Sequence, residues 1–248
     1  MLDLDGVLWR GDEPIPGSAD AVRALRDAGH RVAFLTNNSF TAVAELAEKL
    51  AAMGVPADVE DICSSGQAAA GLLEKGTSAF VAGGAGITDA LRDRGVTVVE
   101  DDSAVDAVIV GFDPSFHYDK LTTAFHAVRS GARLIGTNAD ATYPTADGEV
   151  PGGGSLVASV EYATGVKAEI AGKPHEAAAR LLADRLGPIS WLIGDRPDTD
   201  GAMATAVGAK FGLVLSGVSE SADDVDPAPD AVADDLSTIV AELIAART

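Results

Sequence analysis

Cysteine is nearly absent: Cys63 stands alone in 248 residues. No internal disulfide can form, and the chain is read as cytoplasmic. Long apolar runs are missing as well. None approaches the roughly 20 residues a membrane span needs, and no signal-peptide pattern is present, so a membrane partner is not expected. The four histidines, His30, His117, His126 and His175, show no zinc-ligand spacing. Basic residues are scarce: 18 Lys and Arg face 38 Asp and Glu, for a formal charge of −20. Such a surface repels nucleic acid and anionic membranes. Any anion the chain binds must then meet a locally positive site made by a metal, a lysine or backbone N–H groups.

What is present is an ordinary globular composition, 47% hydrophobic and 23% charged. Helical and strand patterns alternate throughout, which predicts an α/β fold with a parallel sheet. Helices are expected over 19–28, 41–53, 64–75, 87–94, 118–129 and 155–164, and from Pro174 to Leu186. Apolar strands are expected at 31–35, 79–81, 96–99, 107–110, 133–136, 167–171, 189–193 and 211–215. Residues 79–167 read as a self-contained α/β unit, and the acidic 219–235 stretch as a loop into the last helix.

Two carboxylates one residue apart open the chain, in Met1-Leu2-Asp3-Leu4-Asp5-Gly6-Val7-Leu8-Trp9. Residues i and i+2 of an extended segment point the same way, so Asp3 and Asp5 converge if a strand ends there. Two carboxylates about 4 Å apart repel by roughly 4 kcal/mol at an effective dielectric near 20. A divalent cation or a raised pKa offsets such repulsion.

Three more polar clusters sit just after apolar strands: Thr36-Asn37-Asn38, Lys173, and Asp195 with Asp198 and Asp200. Ligands of open parallel sheets bind outside the carboxyl ends of the strands, so these clusters are expected to assemble. Carboxylates, an ammonium, a hydroxyl and turn amides are the inventory for magnesium-assisted phosphoryl transfer. Asp3 and Asp195 suit Mg²⁺, a hard cation that prefers oxygen ligands. Lys173, the amides around Gly6 and Asn37, and the Thr36 hydroxyl can neutralise phosphate oxygens. One carboxylate would attack phosphorus and the other would exchange protons, in an order that spacing leaves open.

Four segments in order carry a resemblance: Asp3-Leu4-Asp5-Gly6-Val7-Leu8, Leu35-Thr36-Asn37-Asn38-Ser39, Gly172-Lys173-Pro174, and Gly194-Asp195-Arg196-Pro197-Asp198-Thr199-Asp200. The chain resembles a haloacid dehalogenase (HAD) superfamily phosphatase. It is similar to the NagD and p-nitrophenyl-phosphatase branch, which includes phosphoglycolate and glycerol-3-phosphate phosphatases. The resemblance implies a Rossmann-like parallel-sheet core, residues 1–78 and 168–248, with an inserted α/β cap of the C2 type at 79–167. It implies Asp3 as nucleophile and Asp5 as general acid/base with its backbone carbonyl on Mg²⁺. Asp195 is then a magnesium ligand and Asp200 supports the metal waters.

The expected substrate is a small phosphorylated metabolite: phosphoglycolate, glycerol phosphate, a sugar phosphate or a nucleotide. Substrate choice is expected near Phe112 and in the loop 137–144, including Tyr143. A homodimer is compatible with this reading. The alternative is a phosphoryl-accepting signalling module without rapid turnover; Asp5 and the cap argue against it. Trp9 and Arg10 fit either a flap by the entrance or simple packing. The first strand of the family usually carries several apolar residues before the nucleophile, whereas only Met1 and Leu2 precede Asp3 here. The expectation is a start upstream of Met1 or a tolerated, clipped first strand.

Overall fold

The computed structural model describes residues 1–101, 104–145 and 148–245. They pack as two compact units. The first comprises the described residues of 1–36, 44–63 and 182–245, and the second those of 37–43 and 64–181. Among the described residues no helix is long and apolar enough to cross a membrane.

The first unit is built on a parallel sheet whose centre is the start of the chain. Leu2 bridges in parallel to Phe34 on one side and Ile193 on the other. Leu2 N–H donates to Ala33 O, Leu35 N–H to Leu2 O, and Asp3 N–H to Ile193 O, each at 2.9 Å. The Leu2 segment therefore joins the two halves of the sheet. The strand Phe34–Thr36 pairs outward with Ile62–Ser64, and Trp191–Gly194 pairs with Lys210–Val214, which pairs with Ala231–Ala233. Counted along the chain, the strand order is 3-2-1-4-5-6. The order reverses between the Leu2 segment and Trp191–Gly194, and ligands of doubly wound sheets bind at that point. The helix Ser18–Asp27 packs on Leu236–Ala245, and Leu2, Leu4, Phe34 and Leu192 are fully buried.

The second unit holds a parallel sheet with Glu169–Ile170, Arg133–Gly136, Ala107–Val110, Ser78–Ala82 and Thr97–Val99 in that spatial order. Every residue of Ala107–Val110 is buried, as befits a parallel strand covered on both faces. This unit is wider than the segment 79–167. The helix Ser65–Gly71, opened by a Ser64/Gln67 capping box, packs on the helix Ala85–Asp93. The Gly86 N–H in turn donates to Phe40 O, so 37–43 and 64–78 share this core.

Other elements depart from the sequence expectation. A hairpin, Thr142–Thr145 with Gly148–Pro151, stands where a loop is predicted, and the acidic 219–235 stretch contributes the edge strand Ala231–Ala233. Runs of three or four residues are too short for periodicity to show.

Asp113 illustrates how the second unit handles a buried charge. Its carboxylate accepts from Ser115 N–H and Oγ and from Lys120 Nζ at 2.5 Å. Burial pushes the carboxyl up, but the Lys120 and Ser115 donors outweigh it and hold the group below the usual range. Lys120→Met should destabilise the fold by about 2 kcal/mol at neutral pH, below the usual cost of breaking a buried pair because Lys120 is partly solvated. Urea denaturation checks this. A depressed folded pKa stabilises above the unfolded pKa and loses that contribution as pH falls through the folded value. The gap between wild type and variant should therefore narrow under acid; a gap constant with pH would remove the ion pair as its cause.

Candidate active site

The reversal point of the first sheet gathers three acids. Asp3 leaves the ladder after the Leu2 bridge, and Asp195 follows Gly194 at the end of the neighbouring strand. Asp200 sits in the single π-turn Pro197–Gly201, which curls back so that Arg196 N–H donates to Asp200 Oδ2 at 3.2 Å. All three are buried, and each offers a carboxylate oxygen within 4.8 Å of the others. Buried carboxylates this close repel by several kcal/mol unless a cation or protons intervene. Three hard oxygen donors with room for waters fit a divalent cation such as Mg²⁺.

Backbone detail makes the room. Gly6 has φ +79°, and a Cβ there would lie 2.4 Å from Asp195 Oδ2; one on Gly217 would lie 1.9 Å from the same atom. Only glycine satisfies both positions. The Gly6 N–H donates to Trp9 O at 2.7 Å. The Gly6 amide is committed to the turn, and Gly6 also contributes space beside Asp195. Val218 N–H donates to Asp195 Oδ2 at 2.7 Å. The sequence reasoning passed over Ser216-Gly217-Val218, although they too follow an apolar strand and carry the same signal as the clusters it chose.

Asp5 lies two residues beyond Asp3, half-buried, and its Oδ1 accepts from Trp9 Nε1 at 2.9 Å. Its carboxylate is not part of the acidic cluster. Thr36, the last residue of Phe34–Thr36, is buried. Asp198 is largely solvated, 3.6 Å from Arg196 Nε.

A second cluster forms around Lys173, within the second unit. Asn37 Oδ1 accepts from Lys173 N–H at 2.8 Å, and Asn37 Nδ2 donates to Lys173 O at 3.3 Å and to Asp140 Oδ2 at 3.2 Å. The Asn37 carbonyl accepts from Ser65 Oγ and Asn138 Nδ2. Asn37 thus clamps the backbone of the buried Lys173. Asn38 is a loop cap: its Oδ1 accepts from Phe40 N–H and Thr41 N–H. An Asn at a strand end satisfies turn amides as readily as a ligand. Tyr143 stacks on Phe112 with ring centroids 4.4 Å apart, and Phe112 meets Phe40 edge to face at 5.8 Å.

Comparison with known proteins places this geometry. Residues 1–97 match the family model of haloacid dehalogenase-like hydrolases, and residues 170–239 a HAD-hydrolase-like model. The sugar-phosphatase AraL of Bacillus subtilis is 31% identical over 246 residues, 96% of this chain and 90% of that one. The p-nitrophenyl phosphatase from Archaeoglobus fulgidus superposes with a TM-score of 0.90 at 29% identity, over 98% of this chain and 97% of that one. A glycerol phosphate phosphatase from Mycobacterium tuberculosis, solved in complex with magnesium, superposes with a TM-score of 0.88 at 32% identity, over 96% and 75%.

Proposed function

The chain belongs to the haloacid dehalogenase-like hydrolase family, and we propose that it is a Mg²⁺-dependent phosphatase of small phosphorylated metabolites that works through an aspartyl-phosphate. Phosphatase activity as such follows from relatives that are themselves phosphatases across nearly the whole chain. The observation that carries the finer reading is the buried Asp3, Asp195 and Asp200 cluster at the reversal point of the sheet, with Asp5 outside it.

Asp3 is assigned as nucleophile. Its carboxylate attacks phosphorus, a P–O acyl phosphate bond forms, and the ester P–O bond breaks. Asp5 gives its proton to the departing alkoxide, then takes one from the water that attacks the acyl phosphate, freeing phosphate and Asp3. Placement supports this division of labour. A nucleophile has to lie beside the neutralising charge, whereas an acid/base has to keep its carboxylate free of cation ligation to carry a proton. When bound by Asp3, Asp195 and Asp200, the divalent cation supplies the positive charge that lets one anion approach another. Lys173, positioned by Asn37, is assigned to the phosphate oxygens. Residues 79–167 are assigned as the cap that limits substrates to small molecules, with Phe112 and Tyr143 in its selecting surface.

A screen of purified protein against glycerol phosphate, sugar phosphates, phosphoglycolate and nucleoside monophosphates tests this reading. Sustained Mg²⁺-dependent phosphate release from at least one is expected. A single stoichiometric phosphorylation without turnover would overturn it in favour of a phosphoryl-accepting signalling module.

A further inference from the structure

Trp9 is 1% exposed, yet its one polar atom is given to a carboxylate beside the acidic cluster. The turn that brings the two side chains together is tightly specified. Val7, Leu8 and Trp9 N–H all point to Leu4 O, and Gly6 N–H returns to Trp9 O. The indole is fixed on its face as well, with Lys49 Nζ 4.7 Å from the ring centroid. The same Lys49 Nζ donates to Gly11 O at 2.8 Å, which ties it to the hairpin formed by Trp9–Arg10 and Glu13–Pro14. On the next strand-end loop, Arg10 Nε donates to Ser216 O, and Ser216 Oγ donates to Gly6 O at 2.7 Å. The indole N–H is therefore a donor on a braced support rather than a mobile one.

We propose that Trp9 is a positioning residue for Asp5: its indole N–H holds Oδ1 and so fixes the orientation of the carboxylate. The inference rests on the acid/base role proposed for Asp5 and adds a residue to it. In the first half-reaction the Asp5 carboxyl O–H bond breaks as the ester oxygen takes the proton. In the second, the carboxylate takes a proton from the attacking water. A carboxylate free to rotate would spend time with neither oxygen suitably aimed, and misplaced catalytic groups lose rate steeply.

Trp9→Phe keeps an aromatic ring and deletes the N–H. The readout is kcat/KM, which reports steps up to departure of the alcohol. With the best alkyl phosphomonoester from the screen, the leaving alkoxide needs a proton and kcat/KM should fall ~10-fold or more; with p-nitrophenyl phosphate, whose phenolate leaves without one, it should fall no more than about 2-fold. Equal losses on both substrates, or none, would overturn the proposal. Asp5→Asn is the companion. If it discriminates between the substrates and Trp9→Phe does not, the Trp9 role fails alone; if Asp5→Asn itself is indifferent, the Asp5 reading fails.

A second measurement does not depend on the Trp9 variant folding. The chain has two tryptophans, so Trp191→Phe assigns the indole ¹H–¹⁵N resonances. In Asp5→Asn the Trp9 indole proton should move upfield by several tenths of a ppm as a charged acceptor becomes neutral. An unmoved resonance would remove the hydrogen bond on which the inference stands.

Discussion

Asp3→Asn should eliminate phosphate release from p-nitrophenyl phosphate, by ~10⁴-fold or more, while the protein stays folded. The substitution preserves shape and removes both nucleophilicity and charge, and an amide cannot form the acyl phosphate. Loss of charge acts oppositely on stability. Three buried carboxylates within 4.8 Å of one another repel in the metal-free protein, and neutralising one removes two of the three pairwise repulsions. The metal-free Asp3→Asn variant should therefore unfold at equal or higher urea than wild type. Loss of activity with stability kept or gained would show that Asp3 acts in the chemistry of the site and not in the fold. Turnover retained within a factor of about ten would remove Asp3 from that role.

The second large effect concerns the cation. Excess EDTA should stop turnover and added Mg²⁺ restore it. Saturating Mg²⁺, at roughly 100 times its dissociation constant, should stabilise the fold by about 2.7 kcal/mol, because the ion binds the native cluster and not the unfolded chain. For a chain of this size that is a rise in melting temperature of roughly 5–11 °C. Asp195→Asn should abolish that rise while leaving Val218 N–H a carbonyl oxygen to bond, in place of the carboxylate oxygen it meets now. A melting temperature indifferent to Mg²⁺ in wild type, or an equal rise in Asp195→Asn, would remove the cluster as the metal site.

How much of this was legible in the chain varied with the physics of each element. Apolar strands ending in Asp, Thr-Asn-Asn, Gly-Lys and Gly-Asp are readable because a buried parallel strand is a short apolar run with an abrupt polar end. Alternation with helices then dictates the α/β class. The meeting of Asp3 with Asp195 follows from those strand ends, but no local signal brings Asp200 back; that depends on the π-turn at Pro197–Gly201. The hairpin of Trp9–Arg10 and Glu13–Pro14 has strands of two residues, below the length at which any period shows. Residue type does not show that the Asn37 side chain is spent on a neighbouring backbone, that of Lys173. The second unit extends beyond 79–167 for a related reason. Gly66 against Gly86, where an added Cβ would sit 2.9 Å from a carbonyl oxygen, is a packing fact with no counterpart in local sequence.

The central strand leaves the ribosome long before one of the two strands that flank it. Met1 donates to Trp191 O, 190 positions later, so this segment waits for the intervening chain before its second neighbour exists. At ~5–20 residues per second this delay is about 10–40 s. Throughout it Leu2 has the Phe34 side alone to pair with, and the three acids remain dispersed along the emerging polypeptide. Unfinished chains released early would carry neither the cation nor the hydrolytic activity.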